Sequence, residues 1–253
     1  MTEAQTGPAS DRSSRQNHFL LIVDSDVPSL FNTSTLLQRF EYQTYTARTG
    51  GEALAVAAVK VPSLVITSLE LTDMDGVELM RILKKDPRTA DVPFITLVRQ
   101  GDLVEETRGF LHGAVDCLTQ PVSAELLFRA VQAVVEKTPR MNMRIRTIQP
   151  VKVNNMPLDD LEGAYTLDLS EHGMFLRTWS PAALNTRLSL QIDLNGRIVP
   201  LEAAVIYSDR TGRGQYHEPG MGLGFVRIEP KDQECIRQFI MHEVMRGIEP
   251  GNA

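Results

Sequence analysis

Cysteine is scarce in this chain of 253 residues, which holds only Cys117 and Cys235. Two thiols so far apart in the sequence cannot build a disulfide framework or a zinc knuckle. Free cysteine behaves as a small apolar side chain, so both residues are expected to be buried. Hydrophobic residues make up 42% of the chain. That share is large enough for packed cores and argues against a wholly disordered chain.

Long hydrophobic runs are also missing. No apolar stretch approaches the roughly 18 residues that a membrane-spanning helix needs. The polar start MTEAQTGPASDRSSRQN lacks the apolar centre of a signal peptide, and its composition predicts disorder up to about Asn17. The sequence therefore predicts a cytoplasmic protein that does not insert into a membrane.

There is no excess of positive charge. The chain has 26 basic and 32 acidic residues, for a net charge of −6, which argues against general binding to nucleic acid. One local segment differs, because residues 137–158 contain five cations and no acid. These cations are Lys137, Arg140, Arg144, Arg146 and Lys152.

The first half of the chain alternates short apolar runs with stretches of helical period. The runs FLLIV, YQTYTA, LVIT, FITLV and VDCL are predicted strands. Helices are predicted after Pro28, Gly51, Gly76, Asp102 and Ser123, with Asp26 and Ser123 as capping residues. Strict alternation of this kind predicts an α/β doubly wound, five-stranded parallel sheet with helices on both faces.

The second half has the alternation of polar and apolar residues that is typical of antiparallel strands. Runs such as RLSLQIDL and IVPLEAAVIY predict a small antiparallel β-barrel. A terminal helix is predicted at about Lys231 to Arg246, with Ile236, Phe239, Ile240 and Val244 on its apolar face. The predicted boundaries are a tail at 1–17, a first domain at 18–137, a second at 138–248 including the arginine linker, and a tail at 249–253.

Several motifs of the first half occur together in one known family. VDSD follows the first strand, LVITSLELTDMDGVEL contains the third, and GAVDCLTQP contains the fifth. In this order, across His18 to Lys137, they resemble a response-regulator receiver domain. The resemblance implies an acidic pair that holds Mg²⁺, an aspartate that accepts a phosphoryl group, a reporting hydroxyl and a phosphate-binding lysine.

The chain departs from this pattern at nearly every functional position. Asp24 alone remains of the acidic pair, with Ser25 beside it, while Ser68, Val98 and Gln120 occupy the acceptor, hydroxyl and lysine positions. Phosphoryl transfer needs a nucleophile and a cation that neutralises the transferred group. We therefore expect a degenerate receiver that is inert to phosphorylation and binds no metal. A weaker alternative is that Asp26, Glu70 or Asp73 rebuilds a metal site.

A second resemblance lies in the β-rich half. Arg140 and Arg144 form R-x-x-x-R, the sequence DLSEHG contains Asp168, Ser170 and Gly173, and MGLGFV follows later. Together these motifs resemble a PilZ domain from about Thr138 to Ile248, which implies binding of cyclic di-GMP in bacterial signalling. Neither motif is specific alone, because each also describes a solvated linker or a polar turn.

The residue types suit such a ligand. Arginine can bind phosphate with two hydrogen bonds, pair with guanine, or stack on the base. Asp168 can accept from the donor edge of guanine, Ser170 supplies a hydroxyl, and Gly173 permits close approach of the backbone. Arg146 is a further candidate phosphate contact. His172 is expected to face solvent, and Trp179 is expected to be a packing residue.

The pattern holds no set of nucleophile, base and orienting group, so an enzyme is not expected. The predicted function is a cyclic di-GMP effector in which the receiver serves protein interaction or homodimerisation. The alternative is an adaptor that acts through protein contacts without a ligand. The linker containing Arg140 and Arg144 is expected to be solvated without ligand and to become ordered on binding.

Overall fold

The computed structural model describes residues 15, 18–99, 112–136, 143–153, 164–214 and 216–248. The chain divides into two compact units, one built mainly from Asp11–Arg140 and the other mainly from Met141–Val244. In the described residues, no helix is both long enough and apolar enough to cross a bilayer.

The first unit is a five-stranded parallel sheet in the order β2-β1-β3-β4-β5. Its strands are β1 Phe19–Val23, β2 Gln43–Ala47, β3 Leu64–Ser68, β4 Phe94–Arg99 and β5 Asp116–Gln120. Its described helices are α1 Val27–Arg39, α2 Gly50–Val59, α3 Gly76–Lys85 and α4 Ala124–Val135. The predicted doubly wound fold is confirmed, and the helix predicted after Asp102 lies outside the described residues.

Buried strands and capped helices explain why the sequence folds this way. All five residues of β1 and of β3 are buried, as expected for central strands covered on both faces. The Asp26 side chain accepts a hydrogen bond from the Ser29 amide and caps α1 as predicted. Ser123 occupies the N-cap position of α4, but its side chain makes no capping hydrogen bond.

The second unit is a curled antiparallel sheet in the order β6-β8-β9-β12-β11-β10-β7. Its strands are β6 Arg144–Arg146, β7 Val151–Val153, β8 Tyr165–Ser170, β9 Gly173–Arg177, β10 Arg187–Leu194, β11 Arg197–Asp209 and β12 Gly220–Arg227. The segment 144–153 closes the curl, because β6 pairs with β8 and β7 pairs with β10. A bridge between Pro150 and Tyr165 lies between these pairings.

The terminal helix α5 spans Pro230–Met245. The four apolar residues predicted for its inner face are all buried, and Cys235 joins them. Cys117, by contrast, is only half-buried at the start of β5.

The placement of Arg144 differs from the expectation of a solvated linker. Arg144 and Arg146 lie in β6, opposite Ser170 and Asp168 of β8, while Ile145 between them is buried. Alternation along a strand explains this arrangement, since Ile145 enters the core and both arginines face the other way. The backbone of Arg144 therefore belongs to a strand rather than to a linker, and its side chain is partly exposed.

Candidate functional site

One candidate site lies at the carboxyl ends of the parallel strands. Asp24, directly after β1, is 2% exposed, and its Oδ1 accepts a hydrogen bond from the Asp26 amide at 3.0 Å. Its Oδ2 accepts from the Ser29 hydroxyl at 2.8 Å and from Gln120 Nε2 at 2.8 Å. Gln120 Nε2 also donates to Ser29 Oγ at 2.6 Å. Neutral donors thus surround the one remaining acid of the predicted pair.

Burial is the main influence on the Asp24 carboxyl. Removal from water raises its pKa above the ordinary aspartate value, and the hydrogen bonds from Asp26, Ser29 and Gln120 oppose that rise without cancelling it. An ionised Asp24 is therefore costly in this fold.

Ser68 lies at the end of β3 and is almost fully buried. Together with Val98 and Gln120 it lines a small surface pocket, whose other walls are Leu69, Glu70, Leu97 and Arg99. Within the described part of the chain, no group hydrogen-bonds to the Ser68 hydroxyl. A serine without an adjacent base is a weak nucleophile, so the pocket lacks the means to activate it.

The three acids that might rebuild a metal site each have another role. Asp26 caps α1, and Glu70 forms an ion pair with Arg99. Asp73 accepts hydrogen bonds at 2.8 Å from the amides of Gly50 and Gly51 at the start of α2, and these bonds lower the pKa of its carboxyl. Among the residues that the structure describes, no cluster of three or more potential metal ligands occurs.

A second candidate site lies on the curled sheet, around Asp168. Asp168 is 1% exposed, and its Oδ2 lies 3.7 Å from Arg144 Nη1. That distance makes an ion pair but not a hydrogen bond. Arg146 is the backbone partner of Asp168 across β6 and β8, and its side chain is exposed. Arg144 and Arg146 thus lie on the edge strand β6, next to the buried carboxylate of Asp168 on β8.

Tyr216 completes this site, although the sequence did not single it out. Its hydroxyl donates to Asp168 Oδ2 at 2.7 Å, and its ring stacks on Phe175 with centroids 3.7 Å apart. Tyr216 belongs to the glycine-containing loop between β11 and β12. An aromatic residue in such a loop was a weak signal, because its partner Asp168 is 48 positions away.

Asp209 shapes the same loop. Its carboxylate accepts hydrogen bonds from the amides of Thr211, Gly212 and Gly214 at 2.8, 3.1 and 2.6 Å. Partial desolvation raises the pKa of this carboxyl, but these hydrogen bonds outweigh it, so the pKa lies below its ordinary value. The base of the loop is therefore held by a charged acceptor.

Ser170 and Gly173 flank the turn between β8 and β9. The Ser170 hydroxyl donates to the Gly173 carbonyl at 2.9 Å. A Cβ on Gly173 would lie 2.4 Å from the Leu223 carbonyl oxygen, so only glycine fits this close approach of two strands. Of the residues predicted to bind ligand, the structure gathers Arg144, Arg146, Asp168, Ser170 and Gly173, while Arg140 lies outside the described residues.

Two further expectations fall on this unit. His172 is exposed as expected, with its Nε2 3.3 Å from Gln233 Nε2. Trp179 was expected to pack, but it is 68% exposed, and its ring lies 4.5 Å from the Arg177 guanidinium. Trp179 follows the end of β9 at Arg177, and Thr178 between them is buried.

Comparison with known families identifies both units. The profile of the response regulator receiver domain matches residues 20–132, and that of the PilZ domain matches residues 137–242. The chain consists of a receiver domain followed by a PilZ domain. Because PilZ is a cyclic di-GMP-binding domain, the protein is a signalling protein with such a domain, and both units are regulatory rather than catalytic types.

Similar curated proteins match about half of this chain. Protein PilH of Pseudomonas aeruginosa is 28% identical over 116 residues, which are 46% of this chain and 96% of PilH. The phosphate regulon regulatory protein PhoB of the same species is 30% identical over 149 residues, 59% of this chain and 63% of PhoB. The chain thus spans less than two thirds of PhoB. A putative response regulator of Chloroflexus aurantiacus with a solved structure is 30% identical, with 47% of this chain and 98% of that chain covered and a TM-score of 0.46.

Asp24→Asn is expected to increase the receiver domain's free energy of unfolding at neutral pH. The raised pKa means that the folded state holds the Asp24 proton more tightly than the unfolded chain does. Ionised Asp24 therefore disfavours folding above its folded pKa, and this penalty disappears as the pH falls below about 3.9. Asparagine removes the charge and keeps an oxygen for the Asp26 amide.

Urea unfolding of wild type and variant, from neutral pH down to about pH 4, measures this effect, and the stability difference should shrink with falling pH. Asp91→Asn, at an exposed aspartate of the same domain, is the control. A variant less stable than wild type at neutral pH would show that burial is not the dominant influence.

Tyr216→Phe is expected to lower the PilZ domain's free energy of unfolding by about 1–3 kcal/mol, because it removes a hydrogen bond from a buried carboxylate. Tyr207→Phe is a matched control, since the Tyr207 hydroxyl makes no hydrogen bond to any residue that the structure describes. Urea unfolding followed by circular dichroism compares the two variants, and equal stabilities would contradict the role given to Tyr216.

Proposed function

We propose that this protein is a cyclic di-GMP effector whose ligand binds at the β6–β8 edge of the PilZ domain. One observation carries the proposal. The two halves of the motif, far apart in the sequence, come together because Arg144 pairs with Ser170 and Arg146 pairs with Asp168. A cationic strand beside a buried carboxylate supplies opposite charges within one small area.

The chemistry of the ligand fits this pattern of charges. Its two phosphates are anionic and suit the planar forks of arginine, while its guanine bases carry N–H donors that suit a carboxylate. Arg144 is 28% exposed in its side chain, so part of its guanidinium is open to a ligand. In this proposal Arg140, Arg144 and Arg146 contact phosphate or base, and Asp168 accepts from guanine.

Tyr216 contacts the carboxylate that is proposed to bind guanine. Its hydroxyl occupies one acceptor position on Asp168 Oδ2 in the described structure. A guanine N–H that donates to Asp168 Oδ2 either competes with the Tyr216 hydroxyl or uses the second lone pair of that oxygen. The loop of Tyr216 therefore belongs to the ligand site in this proposal.

For the receiver domain we infer a protein-interaction role without phosphorylation. The supporting contacts are the neutral amide of Gln120 on Asp24, the unactivated Ser68, and the commitment of the neighbouring acids to helix ends or ion pairs. Homodimerisation through this domain stays a prediction, as does a change in order of the linker around Arg140 on ligand binding.

A pure adaptor is the second candidate, and one observation favours it. Asp168 already has a hydroxyl donor and a nearby cation without any ligand. A site satisfied in this way gains less from a ligand than an unsatisfied one does. Direct titration separates the two candidates.

Isothermal titration with cyclic di-GMP is expected to show binding to the wild type. Arg144→Ala should weaken it by about ten- to a hundredfold, because a charge-assisted contact contributes about 1.5–3 kcal/mol. Arg187→Ala, at an exposed arginine of β10, is the control and should bind as wild type does. No heat of binding in the wild type, or unchanged affinity in Arg144→Ala, would contradict the proposal.

The receiver domain is expected to acquire no phosphoryl group when incubated with acetyl phosphate and Mg²⁺. The reason is that Ser68 lacks a base and Gln120 supplies no positive charge to the transferred group. Intact-mass spectrometry measures the outcome, with an intact receiver domain treated in parallel as the positive control. An adduct of one phosphoryl group on Ser68, Asp26 or Asp73 would overturn the inference of an inert domain.

A further inference from the structure

A buried ion pair lies in the receiver unit, away from its strand-end site. Arg15 Nε donates to Glu136 Oε1 at 2.7 Å, and Arg15 Nη2 donates to Glu136 Oε2 at 3.4 Å. The two side chains are 4% and 2% exposed and stand 121 positions apart in the sequence. One residue from the segment before β1 is thus inserted beside the end of α4.

The surroundings of Arg15 form a socket made of Phe40, Tyr42, Phe128, Gln132 and Glu136. Arg15 Nη1 donates to the Phe40 carbonyl at 3.3 Å, and the guanidinium carbon lies 5.3 Å from the ring centroid of Tyr42 and 5.4 Å from that of Phe128. The Tyr42 hydroxyl and Gln132 Nε2 also donate to the Glu136 carboxylate. Charge, hydrogen bonds and aromatic faces all converge on one guanidinium.

This geometry selects arginine over lysine. A planar fork can place two N–H groups on one carboxylate and a third on a carbonyl while lying between aromatic rings, whereas an ammonium group cannot. Leaving the carboxylate in the socket without its cation is expensive, since a buried charge that loses its partner is strongly destabilising. The socket is therefore either occupied by a guanidinium or opened to water.

Glu136 connects the socket to the end of α4. Glu136 is the C-cap residue of α4, and its amide donates to the Gln132 carbonyl at 3.0 Å. The next residue, Lys137, begins the cationic segment that contains Arg140 and Arg144. When Arg15 leaves the socket, the Glu136 carboxylate loses its cation, and this uncompensated charge sits at the C-cap of α4, where it destabilises the last turn of the helix.

We propose that this socket is a docking site for Arg15, and that its occupancy sets the order at the end of α4. A partner that draws Arg15 out of the socket then acts on the last turn of this helix. The receiver domain thereby has an input that uses no phosphoryl transfer. This proposal rests on the Arg15 contacts alone and stands whether or not cyclic di-GMP binds.

Limited trypsin digestion of the full chain tests the docking. Trypsin must take the arginine side chain into its own pocket, so it can cut between Arg15 and Gln16 only when Arg15 has left the socket. Glu136→Gln removes the charge and keeps the shape, and it should speed this cleavage by about tenfold or more, because the rate follows the undocked population. Mass spectrometry of the released fragment gives the rate.

Glu125→Gln is the matched control, since Glu125 pairs with Arg129 on the exposed face of the same helix. Its rate of cleavage at Arg15 should stay within about twofold of wild type, because exposed ion pairs contribute little. If wild type and Glu136→Gln are cut at Arg15 at equal rates, or if Glu125→Gln accelerates the cut as much as Glu136→Gln does, the proposal is wrong.

Tyr42→Phe keeps the test decisive if Glu136→Gln unfolds the receiver domain. It removes one hydrogen bond from Glu136 and leaves the Arg15 ion pair in place. Cleavage at Arg15 should then rise by about threefold or more while the thermal unfolding transition remains cooperative. An unchanged rate in a folded Tyr42→Phe protein overturns the proposal.

Discussion

A carboxylate taken out of water must have its hydration replaced, and the cost of failing to do so is several kcal/mol per group. Asp24, Asp168 and Glu136 are all buried in this protein, and each is the shared acceptor of a small cluster of donors. The strands and helices around them are arranged so that donors from distant parts of the sequence meet at one carboxylate. The charge of those donors decides what each cluster can do.

Neutral partners and cationic partners give opposite chemistry. Around Asp24 the donors are an amide, a hydroxyl and a backbone N–H, so further negative charge there would find no cation among its contacts. Around Asp168 a tyrosine hydroxyl is joined by the partly exposed guanidinium of Arg144. The first cluster therefore disfavours an incoming phosphoryl group, while the second retains N–H donors for an anionic ligand.

Periodicity was sufficient for the fold because apolar alternation directly reports which face of each element is buried. Periodicity did not predict the environment of individual side chains at the candidate sites. Arg144 was predicted to belong to a linker because a three-residue strand leaves almost no pattern. Trp179 was predicted to pack, but it follows the end of β9 and is exposed. Tyr216 and Arg15 depend on partners 48 and 121 positions away, which no local pattern encodes.

The strand position of Arg144 changes the energetics of binding. Fixing a backbone residue costs about 1–2 kcal/mol, and a mobile linker would incur that cost for every residue that binding orders. In β6 the backbone of Arg144 is already fixed by its pairing with β8, so its contacts with a ligand are not offset by that loss. The predicted ordering of the linker on binding then concerns the residues before β6. Those residues follow directly from Glu136, so the end of α4 is where a change at the PilZ site and a change at the Arg15 socket would meet along the chain.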